Sequence, residues 1–312
     1  MSTDLVISSL ATAVAAATPI LTAATGELLA EETGIYNIGI EGAMLFGALA
    51  GFIVGQETGV LIIALICAMA AGALAALVFG VAVVILRADI VVAGLALVFI
   101  GLGLTGVLGA DYVREPGRVA LGEWHIPLLS EIPWLGRILF EQSLLTYLAF
   151  LLPVGAWFLL YRTRHGLDLR AIGEDPATAD VTGLNVNGWR IFYVGVGGAM
   201  AGLGGAYLTL DSVGTWLPNV SAGEGYIALA VVIFASWRPL PLIAGALLFG
   251  VLGVVGNVAQ ALGSDISSEF FSALPYVGTL TVVCVVAWWR ARHSVWQPWP
   301  AALGMPFLRG SD

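Results

Sequence analysis

Apolar runs of helix-spanning length recur along the chain, separated mostly by a few polar residues. They cover residues 5–24, 35–55, 58–86, 90–110, 144–161, 191–210, 224–237, 240–262 and 272–289. The third carries no charge until Arg87 closes it. A run of that length crosses roughly 30 Å of bilayer hydrocarbon as a helix. Inside lipid every backbone N–H and C=O must be satisfied within the segment, so helices are the expected spans. The pattern therefore predicts an all-α, polytopic membrane protein with about nine transmembrane helices. The number falls to eight or rises to ten if the first or the 35–55 segment is re-entrant or split. The seventh run is short, and Arg238-Pro239-Leu240-Pro241 ends it abruptly, because proline cannot continue a helical hydrogen-bond ladder.

Composition agrees. Mean hydropathy is +0.95 and charged residues are 11% of the 312 positions, against about 25% in an average soluble domain. There are 21 acidic and 12 basic residues, every basic one is Arg, and the pI is near 4.7. That balance argues against nucleic acid or anionic lipid as a partner. Cys67 and Cys284 lie in apolar runs, so no disulfide framework is expected. The start lacks a basic stretch before its apolar run, so no cleavable leader is expected.

Arginine placement sets direction. If the 162–190 loop and the tail after 289 share the cytoplasmic side, nine Arg fall inside and Arg114, Arg118 and Arg137 fall outside. The N-terminus is then outside and the C-terminus cytoplasmic. One membrane domain covers residues 1–312, with an outer loop at 111–143 and an inner loop at 162–190. The outer loop holds Trp124-His125-Ile126-Pro127 and Ile132-Pro133-Trp134 and reads as an ordered surface.

In the inner loop, Glu174-Asp175-Pro176 introduces a short helix. Asp175 can accept the free N–H groups of a first turn, and Pro176 suits the first helical position. Gly183 suits the left-handed residue that stops it. Two turns at 176–182 are marginal alone. They serve either as a capped surface helix or as a peg, with Ala177 and Ala179 on it, for a cytoplasmic partner.

Glu41 and Glu224, each followed by Gly, sit at the starts of the second and seventh runs. A carboxylate deep in lipid usually faces the bundle interior or water. At the interface it would favour a helix N-terminus instead. In the arginine-based topology the two Glu-Gly pairs enter from opposite sides, as an inverted repeat would place them. Asn37 and Asn257 are further polar candidates, as is Asn187. Gly198 and Gly202, four apart, read as helix packing. The chain has no Lys, so it has no P-loop; His125, His165 and His293 are isolated, and no catalytic constellation or metal cluster stands out.

Across about residues 25–290 the chain resembles the permease subunits of ABC importers for simple sugars and nucleosides, within the ribose and branched-chain amino acid permease group. The resemblance rests on Ala171-Ile172-Gly173-Glu174-Asp175-Pro176-Ala177-Thr178-Ala179 with Gly183-Leu184-Asn185-Val186, and on Gly197-Gly198-Ala199-Met200-Ala201-Gly202. It rests also on Gly223-Glu224-Gly225-Tyr226-Ile227-Ala228, Trp237-Arg238-Pro239-Leu240 and Asn37-Ile38-Gly39-Ile40-Glu41-Gly42. Ala235-Ser236 departs from the branch, which commonly has Gly after the Phe.

The resemblance implies a second permease subunit, alike or different, a cytoplasmic ATPase docked at about 175–183, and an extracellular binding protein or lipoprotein. ATP and Mg would sit on the ATPase, leaving no cofactor in this chain. Expected pathway residues are Asn37, Glu41, Glu224, Tyr226 and Phe234. The competing expectation is a proton-coupled secondary transporter with Glu41 or Glu224 as carrier, which leaves the capped inner helix unexplained.

Overall fold

The computed structural model describes residues 3–125, 130, 132, 134–262, 268–293 and 299–307. Twelve α-helices occur among them. In order they are α1 (Thr3–Glu31), α2 (Ile40–Thr58), α3 (Leu61–Val84), α4 (Ile90–Leu108), α5 (Leu135–Leu139) and α6 (Leu144–Arg162). Then come α7 (Arg164–Glu174), α8 (Pro176–Val181), α9 (Val186–Tyr207), α10 (Glu224–Phe234), α11 (Pro241–Ala261) and α12 (Ser268–His293). Among the described residues seven helical segments are long and apolar enough to cross a membrane, and α10 and part of α12 are shorter apolar helices. All nine apolar runs of the sequence thus fold as helices, in a multi-pass membrane protein. The second begins later than the run suggests, at Ile40. The seventh is only 11 residues, about 16 Å at 1.5 Å per residue, half a bilayer.

The centre of the bundle is a seam of backbone-to-backbone contact. α9 packs on α1, α2 and α3. A side chain at Gly202 would strike the backbone of Ala68, and one at Gly47 would strike Gly202 itself. The Gly198/Gly202 pair is therefore packing, as expected, and the helices approach more closely than any Cβ allows. The outward faces of α3 and α4 carry Val78, Val92, Phe99 and Val107, each at least 66% exposed, as a lipid-facing or subunit-facing surface would.

At one end of the bundle, the chain around 111–118 is stitched to 214–216. Arg114 N–H donates to Trp216 C=O at 3.1 Å and Gly117 N–H to Gly214 C=O at 2.8 Å. A two-stranded antiparallel pair, β1 (Glu123–His125) with β2 (Glu141–Ser143), follows. These bonds fix the described part of the loop; Ile126, Pro127 and Pro133, among those on which the expected ordered surface rested, lie outside the described residues.

The opposite end is built from α7, α8, the turn 32–39 and the segment 299–307. The inner loop is less of a loop than its polarity suggests: Thr163 caps α7 by accepting Gly166 N–H at 3.0 Å, and helix fills most of 164–181. Gly173 has no room for a side chain, because Glu32 C=O lies against it. Ala302 N–H donates to Gly173 C=O at 2.9 Å, and Gly304 N–H to Gly34 C=O at 2.8 Å. The C-terminal segment therefore ties α7 to the turn between α1 and α2.

Candidate functional site: two helix starts that meet inside the bundle

α1 and α9 run antiparallel, with Gly26 against Gly197, half-way along α9. Glu27, one residue on, accepts the Asn37 N–H at 2.5 Å. The chain from 33 to 39 thus climbs to mid-bundle without helix before α2 starts. Asn37 is 1% exposed, and its Oδ1 accepts Gly39 N–H at 2.9 Å, which shapes the turn into α2.

Glu41, in the first turn of α2, is 2% exposed. Its Oε1 accepts the Ser221 hydroxyl at 2.6 Å and the Gly223 N–H at 2.8 Å, and its Oε2 accepts the Gly225 N–H at 2.8 Å. These are the free donors at the start of α10. The residue at the cap position, Gly223, is left-handed with φ +88° and has no side chain to offer. A helix needs its first N–H groups satisfied, and here the acceptor comes from 182 positions earlier. A side-chain carbon on Gly225 would lie 2.7 Å from the Glu41 Cα and Oε2, so glycine is what lets the carboxylate in. The bonds are charge-assisted and sit at the positive end of the α10 dipole.

Glu224 lies beside Glu41, and its Oε2 is shut away with no hydrogen-bond partner. α10 runs from this point to Phe234, and in the turn after it the Trp237 indole N–H donates to Glu31 Oε2 at 2.5 Å near the end of α1. The starts of α2 and α10 therefore abut at mid-bundle, on two broken helices. Irregular backbone is tolerated at that depth where it is enclosed by protein or lines a cavity.

Of the five pathway candidates, Asn37, Glu41 and Glu224 share this level. Tyr226, one turn into α10, is 36% exposed and close to Glu41. Phe234 is elsewhere: ten residues on, about 15 Å along α10, with its ring on the backbone of Gly245. Asn257's side chain lies outside the described residues. Among the described residues no group of His, Cys, Asp and Glu could hold a metal.

At the α7–α8 end, Asp175 Oδ1 accepts the Ala177 and Thr178 N–H groups at 3.1 Å each, and Oδ2 accepts the Thr178 hydroxyl at 2.5 Å. These bonds hold its carboxyl below the usual range. Glu174 and Ala177 are exposed, Pro176 stands at the first helical position, and Gly183 stops the helix at φ +95°. Ala179 differs from its partners. It is 3% exposed and packs with Ile172 and Val186, so it holds α8 to its own domain. The most exposed apolar residue of the helix is Val181, at 88%. His165 is satisfied by Tyr193 Oη at 2.7 Å and lies against Trp189. Glu32, 7% exposed, is pushed up to about 7, chiefly by burial and further by Glu174, with Arg170 opposing.

Residues 9–288 match the model of a family described as the branched-chain amino acid transport system / permease component. This chain belongs to that permease family. The permease is a transport component, not an enzyme, and it works with an ATPase and a substrate-binding protein. It is 38% identical to a putative glucose ABC transporter permease protein of Haloferax volcanii, over 96% of this chain and 97% of that one. It is 34% identical to a nucleoside ABC transporter permease protein of Lactococcus lactis, over 86% and 88%. A guanosine ABC transporter permease protein of Bacillus subtilis is also 34% identical, over 94% of each chain. No solved structure matches the permease.

Proposed function

We propose that this permease forms one half of the translocation pathway of an ABC importer for a nucleoside or simple sugar, with the Glu41–Glu224 level as its narrow interior station. The observation that carries the reading is the meeting of two broken helices at mid-bundle, with one carboxylate fully bonded and the next left with a free oxygen. An uncommitted acceptor beside Tyr226 suits a solute that offers hydroxyl or amino donors and a flat face. The names of the glucose and nucleoside relatives support that class.

In this reading α8 is the peg for the ATPase, presenting Ala177 and Val181. The segment 299–307 ties α7 to the 32–39 turn, and that turn leads through Asn37 to Glu41. Movement at α8 thereby reaches the pathway. The reading takes about nine spans from the apolar runs, and an outer N-terminus and a cytoplasmic C-terminus from the arginine distribution; the packing of 299–307 on α7 supports a tail on the α8 side. A second permease covers part of the α3–α4 face, and an outside binding protein docks at the opposite end.

Reconstitution tests it. Uptake of nucleosides or sugars should require the partner ATPase and ATP. Uptake by the permease alone, driven by a proton gradient, would replace this reading with proton-coupled transport through Glu224.

A further inference from the structure

α10 is held at both ends by carboxylates that belong to other helices. Its start hangs on Glu41 of α2. Just past its end, the Trp237 indole N–H donates to Glu31 Oε2 of α1 at 2.5 Å. Glu31 is 3% exposed and Trp237 7%, so water cannot stand in for either partner. An N–H bonded to a carboxylate is among the stronger hydrogen bonds.

The turn that carries Trp237 is strained. Ser236 and Trp237 both stand in the left-handed region, at φ +55° and +56°. That region is unfavourable for residues with a Cβ and rare for a bulky one. Such backbone persists only where its surroundings over-determine it. The holds on the indole are the Glu31 carboxylate and the Trp299 ring, which meets it edge-on at 6.0 Å between centroids.

Glu31 does not act alone. Glu27 lies one turn earlier on the same face of α1. It accepts the Asn37 N–H, and Asn37 in turn shapes the entry to α2. A closed circuit results. α1 holds the α2 entry through Glu27, α2 holds the start of α10 through Glu41, and α1 holds the end of α10 through Glu31. Trp299 begins the segment whose Ala302 N–H is bonded to Gly173 of α7, so the circuit meets the α7–α8 end at the Trp237 ring. Cutting the circuit at Glu31 leaves α10 pinned at its start and free at its end.

We propose that Glu31 is a positioning residue for transport: by holding Trp237 it fixes the orientation of α10, the helix that carries Glu224 and Tyr226, and it yields when the α7–α8 end moves. The proposal rests on the reading of the Glu41–Glu224 level as the transport station. Without this latch α10 swings about its Glu41 pin out of step with the ATPase, and ATP is hydrolysed without solute crossing.

The test uses the complete complex, permease with its ATPase and binding protein, in proteoliposomes. Guanosine and glucose are the probes, and the readout is solute taken up per ATP hydrolysed. Trp237→Phe keeps the ring and removes the N–H, Glu31→Ala removes the acceptor, and Glu31→Gln keeps an acceptor oxygen. The ratio should fall roughly tenfold in the first two, the weight of one charge-assisted hydrogen bond, and return to within about twofold of wild type in Glu31→Gln. A role in stability alone would lower the yield of folded permease and leave the ratio where it was. An unchanged ratio in Trp237→Phe overturns the proposal, and so does an equal fall in Glu31→Gln and Glu31→Ala. Glu224→Gln, assayed alongside, separates the two readings. If it blocks uptake while Trp237→Phe keeps the wild-type ratio, the station stands and the latch falls. If it transports normally while Trp237→Phe loses the ratio, the latch stands and the station falls.

Discussion

Two carboxylates in this permease do the same job in opposite settings. Asp175 caps α8 from the adjacent position, at the surface, while Glu41 caps α10 from another helix, deep in the bundle. The first stabilises a short surface helix that water could partly support. The second satisfies donors that have no water to turn to, so its removal exposes the full desolvation cost. The contrast separates two kinds of fastening: a replaceable one at the α8 end, and one inside the bundle that water cannot replace.

The largest effect should follow Glu41→Ala. It strands three donors, each costing about 1–3 kcal/mol if buried, so unfolding in detergent should be easier by at least about 3 kcal/mol. Glu41→Gln should recover part of this, because its carbonyl oxygen still accepts while its amide faces a donor. Equal stability of Glu41→Ala and wild type would erase the contrast.

Glu32 sharpens it, being buried near the α7–α8 end with no helix start to cap. Its folded value of about 7 lies above the ordinary 4.5. Between those limits the folded state holds more protons than the unfolded one, so stability should fall as pH rises from about 4.5 to 7 and then level off. The total is on the order of 3 kcal/mol. Glu32→Gln should flatten that slope, which denaturant titrations at pH 5, 6 and 8 would show.

Asp175→Ala should cost about 1 kcal/mol, confined to α8. Faster amide exchange at 177–182 with an unchanged global midpoint would show it. The smallest stability effect, within about 0.5 kcal/mol, belongs to Val181→Asp. Recovery of the ATPase on pull-down should nevertheless drop, and unchanged recovery would remove Val181 from the contact.

What the sequence showed depended on how local the cause was. The spans follow from runs of apolar residues, and α8 follows from Asp175, Pro176 and Gly183 standing side by side. The cap of α10 was hidden because Gly223 has no side chain and its acceptor lies near position 41. Glu41 and Glu224 stood out separately as polar residues among apolar ones, but nothing local says that they lie side by side. Ala179 faces inward because of Ile172 and Val186, a tertiary fact. Arg190 reads in sequence as a topology marker, whereas in the fold it is a buried clamp on Thr33 and Met305.

The division of labour between the two ends is tested most directly by measuring ATP-driven uptake and ATPase recovery together in reconstituted complexes carrying Glu224→Gln or Val181→Asp. Glu224→Gln should cut uptake at least tenfold while the ATPase is recovered as with wild type, and Val181→Asp should lose the ATPase while the permease stays folded. If Glu224→Gln transports normally, or if the two variants fail in the same way, the interior station and the docking peg are not the separate devices described.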